Sequence, residues 1–453
     1  MPFDNEHDAI TFVFRSIGLT NWRERGLDEN TRNTTPTHQL LLKTGLPVNQ
    51  REYAVVTGSK GKGSVTTITA KLLHSLGHTV GMITSPHLTT YRQRFRVNGT
   101  MMSEADLIRL INWIEPYVDS IQATLGDNQY LSPQGIFLAI ALKWFDEMDV
   151  NVAVIEVGRG GRFDDNALIP NKLSMFTPIL LEHTRYLGDT MERIAWHKAG
   201  IIKSQGFAYS LPQLPEVMDV LRAEAEAKDA TFEWLAPIDM GELITETDTG
   251  QRISMGRYGE IDLPLLGRYE IENVSLAVWG AGNIHARLKT DIPHSDPEYV
   301  KRIRAGLESV KIPGRCQKLQ DNPAIYIDGA MNIKSAKLFI ESVKNRITKP
   351  LVTILAIAKD RDYPAIYQEF AEISDKLIIT QTSRNIAISF VEEKEALNVA
   401  RRYHNDVVYA ETVAEAIDLA KAFTGIDGTV LMSVGQPVIG DTMAYYGYLF
   451  EMI

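Results

Sequence analysis

The sequence predicts an α/β protein built on doubly wound parallel β-sheets, and three observations support this fold class. Short apolar runs alternate with helical patterns along most of the 453 residues, as they do in parallel sheets covered by helices on both faces. The runs are continuous and rich in β-branched residues rather than alternating, which indicates strands buried on both faces. The pattern restarts after about residue 300, which indicates a second and smaller unit.

Each expected strand is one of these apolar runs. The runs cover residues 51–58, 78–85, 151–158 and 172–179 in the first unit, and 324–330, 351–358, 375–380 and 429–435 in the second. A helix follows the first run, because five apolar residues share one face: Val65, Ile68, Leu72, Leu73 and Leu76. Gly77 can end that helix. Residues 135–145 form a second, well-buried helix, and 204–265 is a mixed or antiparallel section of the first unit.

The chain is therefore divided into a larger unit, residues 1–300, and a smaller Rossmann-like C-terminal unit, residues 301–453. Ligands of doubly wound sheets bind at the carboxyl ends of the strands. Side chains that directly follow the strands are thus the first candidates for a functional site.

Composition and charge exclude several classes of protein. The chain is 44% apolar and 23% charged with a net charge of −10, which argues against a protein that coats nucleic acid or an anionic membrane. No apolar stretch approaches the roughly 18 residues that a membrane helix needs, and the first residues do not resemble a secretory signal. Because Cys316 is the single cysteine, no internal disulfide can form, and we expect a reducing, cytoplasmic setting.

The first strand leads into a glycine- and lysine-rich turn, GSKGKGS, residues 58–64. Three glycines let backbone N–H groups converge on an anion at the start of the next helix: Gly58, Gly61 and Gly63. We expect Lys62 to reach the outer phosphates of a nucleotide and Ser64 to bind Mg²⁺. The usual spacing G-x-x-x-x-G-K-[ST] is incomplete, because Val56 occupies the first glycine position and Gly63 separates Lys62 from Ser64. The alternative interpretation is a tight turn with surface lysines.

Further motifs, in one order along nearly the whole chain, resemble those of the folylpolyglutamate and dihydrofolate synthases, a family of the Mur ligase superfamily. The turn itself resembles the GTNGKGS loop of that family. The other matching segments are Thr84–Leu88, Arg94 with Val97–Gly99, Glu156–Gly158, Gly160–Arg162, Glu182–His183, Leu187–Gly188 with Thr190, Lys198–Lys203, Gly267, Asn273, Pro313–Arg315 and Asp328–Asn332. So many motifs in a fixed order are far more specific than the turn alone.

The resemblance implies an ATP- and Mg²⁺-dependent ligase that joins an amino acid, usually glutamate, to a small-molecule carboxylate. ATP phosphorylates the carboxylate, the amine attacks the acyl phosphate, and phosphate leaves. Fixed cations and backbone dipoles stabilise the charge that builds on the phosphate oxygens. The resemblance also implies a P-loop-containing, ATP-binding domain of Mur ligase type over 1–300 and a ligase domain over 301–453, with no role for nucleic acid or a membrane.

The resemblance further implies two Mg²⁺ sites. Ser85 and Glu156, which both follow apolar strands, share the first with the nucleotide phosphates, and a carboxylate oxygen suits this hard ion. His183 binds the second ion. Lys198 matches a lysine that is commonly carbamylated in the family and then supplies an oxygen ligand. Together with Lys62, His183 and Lys198 are the candidate catalytic residues.

Three more residues contact ATP if the resemblance holds. Asn273 reads the base, Arg315 contacts the phosphates from the second domain, and Asp328 contacts the ribose or nearby polar groups. Arg315 follows Pro-Gly, a turn that can present a side chain into a cleft. Taken alone, an arginine after a turn is normally a surface residue.

The chain departs from the family pattern mainly on the side of the substrates. The expected histidine of DGAHN is Met331, and a thioether carries no charge and donates no hydrogen bond. The other departures are Glu182 for an aspartate, His197 for a glutamate, Glu270 for a glutamine, Gly135 for an acid, and a shortened run at 160–166.

These departures leave the substrates open. One alternative is the same chemistry on a non-folate carboxylate, with a different amine, or both. A second is a non-catalytic relative that binds nucleotide as a structural or regulatory module. A third is a plain P-loop NTPase or kinase, which would not need the Pro313–Arg315 and Asp328–Ala330 segments.

Overall fold

The computed structural model of the chain describes residues 2–19, 25–126, 129–288, 290–382 and 388–453. These residues form two large, mainly parallel sheets with helices packed on them and a small antiparallel sheet. The predicted α/β class is thereby confirmed. None of the helices in these ranges is long and apolar enough to cross a membrane.

The first large sheet carries the N-terminal two thirds of the chain. Its helices and strands follow one another as α1 Glu6–Phe14, α2 Asp28–Thr31, α3 Thr35–Thr44, β1 Glu52–Thr57, α4 Lys62–Ser75, β2 Val80–Ile83, β3 Phe95–Val97, β4 Thr100–Met101, α5 Glu104–Gln122, α6 Pro133–Glu147, β5 Val152–Glu156, β6 Leu173–Phe176, α7 Thr184–Leu187, α8 Met191–Ala199, β7 Phe207–Ser210, α9 Pro215–Ala227 and β8 Thr231–Trp234. The strand order is β4-β3-β2-β5-β1-β6-β7-β8. Within the described ranges, its antiparallel pairings are those of β3 with β2 and with β4.

The irregular region predicted for 204–265 contains both kinds of pairing. Strands β7 and β8 extend the parallel sheet, and an antiparallel sheet follows. The elements after β8 are β9 Glu242–Glu246, β10 Gln251–Ser254, β11 Glu260–Leu263, α10 Tyr269–Arg287 and α11 Pro297–Glu308.

The second large sheet lies in the C-terminal third. Its elements are β12 Gln317–Gln320, β13 Ala324–Asp328, α12 Ile333–Val343, β14 Leu351–Ala356, α13 Tyr363–Ala371, β15 Lys376–Ile379, α14 Glu393–Ala400, β16 Val407–Tyr409, α15 Val413–Thr424, β17 Thr429–Val434 and α16 Gln436–Tyr445. Parallel strands in the order β13-β17-β14-β15-β16 confirm the predicted Rossmann-like unit, and β12 pairs antiparallel at one edge.

Helix α11 packs in the core of the first unit. Its residues Tyr299, Ile303 and Leu307 are buried together with Leu72 of α4. The division of the chain at residue 300 stays a prediction, and this packing favours a boundary after Val310.

Strand β1 occupies the centre of the first sheet, between β5 and β6. Because these strands are parallel, the loops after residues 57, 156 and 176 emerge at one edge. Helix α4 begins at Lys62 rather than at Ser64, because Gly61 takes a left-handed conformation (φ 87°) and caps it. Lys62 and Gly63 therefore lie in the first helical turn, where N–H groups are free to bind an anion.

Candidate active site

The glycine turn after β1 is held close to its neighbours. A Cβ at Gly58 would lie 1.9 Å from Oγ1 of Thr177, and a Cβ at Gly61 would lie 2.5 Å from Oδ1 of Asn273. Both glycines have positive φ angles, which other residues rarely adopt. The turn therefore needs glycine at 58 and 61 for conformation and for space.

Cations from both sheets surround this turn. Burial lowers the pKa of Lys60, and the positive charges of Arg315, Lys62 and Arg361 lower this pKa further. The negative charge of Glu182 acts in the opposite direction. Three positive groups within electrostatic reach of Lys60 repel it, and an anion between them would relieve this repulsion. The arrangement fits a polyphosphate.

Two lysines share one acceptor beneath the turn. Nζ of Lys62 donates to the carbonyl oxygen of Gly58 at 3.1 Å, and Nζ of Lys198 donates to the same oxygen at 2.7 Å. Lys198 is fully buried and donates also to the carbonyl oxygen of Arg159 at 2.9 Å. Burial and the charge of Lys62 lower the pKa of Lys198 to about 7, against the attraction of Glu182.

Glu156 ends β5 opposite the first turn of α4. Its Oε2 accepts a hydrogen bond from the backbone N–H of Ser85 at 2.8 Å and lies 3.8 Å from the position of a Cβ at Gly63. Burial raises the pKa of Glu156, although the positive charge of Lys62 and the bond from Ser85 oppose the shift. Ser85 meets Glu156 through its backbone N–H.

His183 and Glu182 lie beside the buried lysine. His183 adopts a left-handed conformation (φ 53°) just before α7. Burial lowers its pKa to about 4 although Glu182 attracts a proton there. Burial raises the pKa of Glu182, but the charges of Lys198, His183 and the turn lysines outweigh this effect and hold it below its ordinary value. Among the described residues, no group of three or more His, Cys, Asp or Glu side chains is placed to hold a metal.

The start of α10 joins the turn through a buried carboxyl. Oε1 of Glu270 accepts from Oγ of Ser64 at 3.0 Å, and Oε2 accepts from Nδ2 of Asn273 at 2.9 Å. Burial raises the pKa of Glu270 to about 7, against both hydrogen bonds. Glu270 therefore connects the predicted metal ligand Ser64 with the predicted base-reading residue Asn273.

Arg315 and Asp328 bring the second sheet to the same place. Asp328 ends β13, and its Oδ2 accepts from the backbone N–H of Cys316 at 2.8 Å. Burial raises the pKa of Asp328, while Arg315 and Lys60 lower it. Nη1 of Arg315 lies only 2.3 Å from the position of a Cβ at Gly329, so the glycine of this motif makes room for the guanidinium group.

Two departures from the family motifs have structural counterparts. A Cβ at Gly135 would lie 2.0 Å from Oγ1 of Thr37, so no larger residue fits there unless Thr37 moves. That hydroxyl donates to Oδ1 of Asp165 at 2.7 Å, and Oδ2 of Asp165 pairs with Arg32 at 2.9 Å. Asp165, a buried acid from the shortened run, is thus linked through Thr37 to the position at which Gly135 replaces the expected acid. Met331 packs near Gly435, whose added Cβ would be 3.5 Å from its Cε.

The sequence-predicted site residues converge at the facing edges of the two sheets, but several neighbours were missed. Lys60 belongs to the quoted turn, so its charge beside the predicted anion site could have been found from the sequence. Arg361, which follows β14, needed the tertiary structure, as did the effect of the charge of Arg94, quoted above as a motif residue, on Glu156.

Two protein-family models and several relatives match this chain. The family model described as "Mur ligase middle domain" matches residues 56–281, and "Mur ligase, glutamate ligase domain" matches residues 314–435. The chain is 31% identical over 346 residues to the dihydrofolate synthase/folylpolyglutamate synthase of Bacillus subtilis, covering 74% of this chain and 78% of that protein. It is 31% identical over 334 residues to the folylpolyglutamate synthase of Lacticaseibacillus casei, and this match covers 72% of this chain and 76% of that protein.

Solved structures agree with these relatives. The folylpolyglutamate synthase of Mycobacterium tuberculosis complexed with ADP and AMPPCP superposes with a TM-score of 0.81 at 25% identity, covering 97% of this chain and 99% of that one. The same enzyme complexed with ADP superposes with a TM-score of 0.81 at 26% identity and the same coverage. The chain therefore belongs to the folylpolyglutamate synthase/dihydrofolate synthase family of the Mur ligase superfamily, whose members are ATP-dependent ligases that form C–N bonds.

Proposed function

We propose that this protein uses ATP and Mg²⁺ to activate a carboxylate as an acyl phosphate and then joins the carboxylate to an amino acid. Glutamate is the leading candidate for this amino acid. The observation that carries the proposal is that Lys62, Arg315 and Arg361 all lie within electrostatic reach of Lys60 in the glycine turn. Relatives named folylpolyglutamate synthases support folate and glutamate as the first substrates to test.

The proposed role of each residue follows from its position. N–H groups of the turn and the ammonium group of Lys62 bind the phosphates of ATP, with Asn273 at the base and Asp328 at the ribose. Arg315 reaches the phosphates from the second sheet, where a guanidinium group can bind two oxygens at once. Positioning and fixed charge supply most of the catalysis in such transfers.

Glu156, Ser85 and Ser64 are the proposed ligands of a first Mg²⁺. The carboxylate of Glu156 fits, because it accepts one backbone hydrogen bond and keeps lone pairs for a cation. The ion, once bound, would neutralise charge on the phosphate oxygens. His183 and Lys198 are the proposed ligands of a second ion.

Carbamylation of Lys198 stays part of the proposal. A pKa of about 7 keeps much of the amine uncharged at neutral pH, which is the form that reacts with carbon dioxide. Two carbonyl oxygens accept from Nζ, whereas a carbamate nitrogen has one proton. The modified side chain would therefore give up one of these bonds.

The same chemistry on a non-folate carboxylate is a second candidate. It is favoured by Met331 at the position of an expected histidine and by Thr37, which fills the space at Gly135. Polar pockets reject ligands that leave their groups unpaired, so altered groups favour altered substrates.

A panel of carboxylates and amino acids, assayed for ADP, phosphate and amide product, tests the function. We expect amide formation with phosphate release in equal amounts, and folate with glutamate among the active pairs. Lys62→Ala should lower turnover at least about 100-fold, the loss typical of one transition-state donor. Lys71→Ala, on the same helix but two turns further along, is the control. A stable phosphorylated product would indicate a kinase, and ATP binding without any turnover would indicate a non-catalytic relative.

A further inference from the structure

A cavity of about 950 Å³ lies between β7 and β8, the antiparallel sheet and α10. Small-molecule sites in proteins usually measure about 300–1,000 Å³. None of the residues assigned above to nucleotide, metal or turn lines this cavity. The roles proposed above for ATP and Mg²⁺ therefore do not involve it.

Aromatic side chains form much of the cavity wall. The rings of Tyr209 and Trp279 lie parallel, with centroids 3.8 Å apart and planes at 4°. Trp234 on β8 is 46% exposed and Ile238 is 89% exposed. Large apolar side chains grouped at the mouth of a cavity indicate a surface that binds another molecule.

Hydrogen bonds hold this wall in place without a ligand. Nδ2 of Asn283 donates to the hydroxyl of Tyr209 at 2.9 Å. Oγ of Ser275, on the same helix, accepts from the backbone N–H of Gly241 at 3.0 Å and so ties α10 to the antiparallel sheet. A preformed wall loses little conformational entropy when a ligand binds.

The charges at the cavity do not favour an anion. The charge of Arg287 is paired through Nη1 with Glu52, which lies outside the lining, although Nη2 of Arg287 is buried without a hydrogen-bond partner among the described residues. Arg257 is exposed, and the exposed carboxylates of Asp239 and Glu242 balance it. Because the faces of aromatic rings carry negative partial charge, they attract cations as well as other flat rings.

We propose that this cavity is a second ligand site, for a planar aromatic or heteroaromatic molecule that is uncharged or positively charged. Trp279 and Trp234 provide the stacking surfaces. The site is separate from the nucleotide turn, and its ligand need not take part in the ligase reaction.

Calorimetric titration of the full chain with three bicyclic probes tests this site at pH 8. The probes are quinoline, 1-methylquinolinium and 2-naphthoate, which are neutral, cationic and anionic. We expect saturable binding at one site per chain for the first two, and at least tenfold weaker binding of 2-naphthoate. Equal or tighter binding of 2-naphthoate would overturn the proposed ligand class.

Variants locate the binding. Trp279→Leu and Trp234→Ala should each weaken quinoline binding at least fivefold, through lost stacking and lost apolar area. Trp234 is largely exposed on an edge strand, so its variant tests the site even if Trp279→Leu fails to fold. Trp113→Leu, on α5 and outside the lining, is the matched control and should bind like the parent.

Independence from the ligase site is tested in the same assay. Lys62→Ala and saturating ADP should both leave quinoline affinity unchanged, so the two proposals can fail separately. No saturable binding at millimolar quinoline would overturn the site, as would a dimer in light scattering that excludes the probe.

Discussion

Lys62 and Glu156 face each other across the start of α4, and their charges act on one another. Taken alone, neither residue indicates a functional site, because lysines and glutamates at strand and helix ends are usually solvated. Here Glu156 is buried and its pKa is raised by that burial. Burying a charged carboxylate without a direct ion pair costs free energy. A bound cation would offset this cost.

Glu156→Gln should raise the Mg²⁺ concentration for half-maximal activity at least tenfold. The amide keeps the size and can still accept from Ser85, but it lacks the charge that attracts the ion. Activity measured against Mg²⁺ at fixed ATP checks this. Glu147→Gln, at a surface pair with Arg109, is the control, and an unchanged titration for Glu156→Gln would remove it from the ion's ligands.

The turn and α4 act as one element, because Gly61 both caps the helix and contacts Asn273. This contact sets the distance between the turn, proposed to bind phosphate, and Asn273 on α10, proposed to read the base. An added methyl group at residue 61 would push these two elements apart.

Gly61→Ala should therefore lower kcat/KM for ATP at least tenfold, beyond a stability loss of about 1 kcal/mol from the left-handed backbone. Gly425→Ala is a matched control, because Gly425 also has positive φ (61°) but has open space around its Cα. Steady-state kinetics and urea unfolding of both variants separate the two effects. Equal kinetics for the two variants would contradict the role of the Asn273 contact.

The end of α4 is linked to α10 by a buried histidine pair. Nε2 of His285 lies 2.7 Å from the carbonyl oxygen of Ile292, and Nδ1 of the same ring lies 2.8 Å from Nε2 of His78. Burial, and then the nearby His285, lower the pKa of His78 to about 4.

His78→Gln should make the protein less sensitive to acid. Between pH 6.5 and 4 the unfolded chain binds a proton at His78 and the folded chain does not, so stability falls as pH is lowered. From pH 7 to 4.5 the parent should lose about 2 kcal/mol more than the variant. Urea unfolding across that range measures it, and parallel pH profiles would show that the pair does not titrate on unfolding.

Contacts between the two units place Arg315 and Asp328 against the turn. A Cβ at Gly440 of α16 would lie 2.0 Å from the carbonyl oxygen of Leu88. Arg96 is buried near β4 and donates to the carbonyl oxygens of Phe450 and Glu451, at 2.7 and 3.3 Å. The last residues of the chain thus return to the first sheet beside β3 and β4.

Arg96→Met should weaken this return contact, because it leaves carbonyl oxygens of the last residues without a donor. Burial lowers the pKa of Arg96 to about 10, yet the group stays charged at neutral pH and its loss should cost about 2 kcal/mol. Hydrogen exchange at Met101, whose N–H donates to Glu451, should become faster. Arg252→Met, at an exposed pair, controls for the loss of charge, and unchanged exchange would contradict the contact's role.

Local patterns predicted most strands and helices correctly, since burial on both faces leaves continuous apolar runs in the sequence. Residues 62–64 were assigned to the turn, whereas α4 already begins at Lys62, because the left-handed conformation of Gly61 is a property of the folded turn. The antiparallel sheet of β9–β11 was predicted only as a mixed section, because short, half-exposed strands carry weak periodicity.

The motifs of the sequence by themselves determined the fold class, the family and the residues at the strand ends, because parallel strands bring those ends to one edge. The tertiary structure decided which side chains meet there: Glu270 with Ser64, Lys198 with Gly58, and Thr37 with the space at Gly135. It also decided the aromatic cavity and the return contact at Arg96. The physical reason is that these contacts join residues far apart in the chain, and their geometry depends on packing that no local spacing encodes.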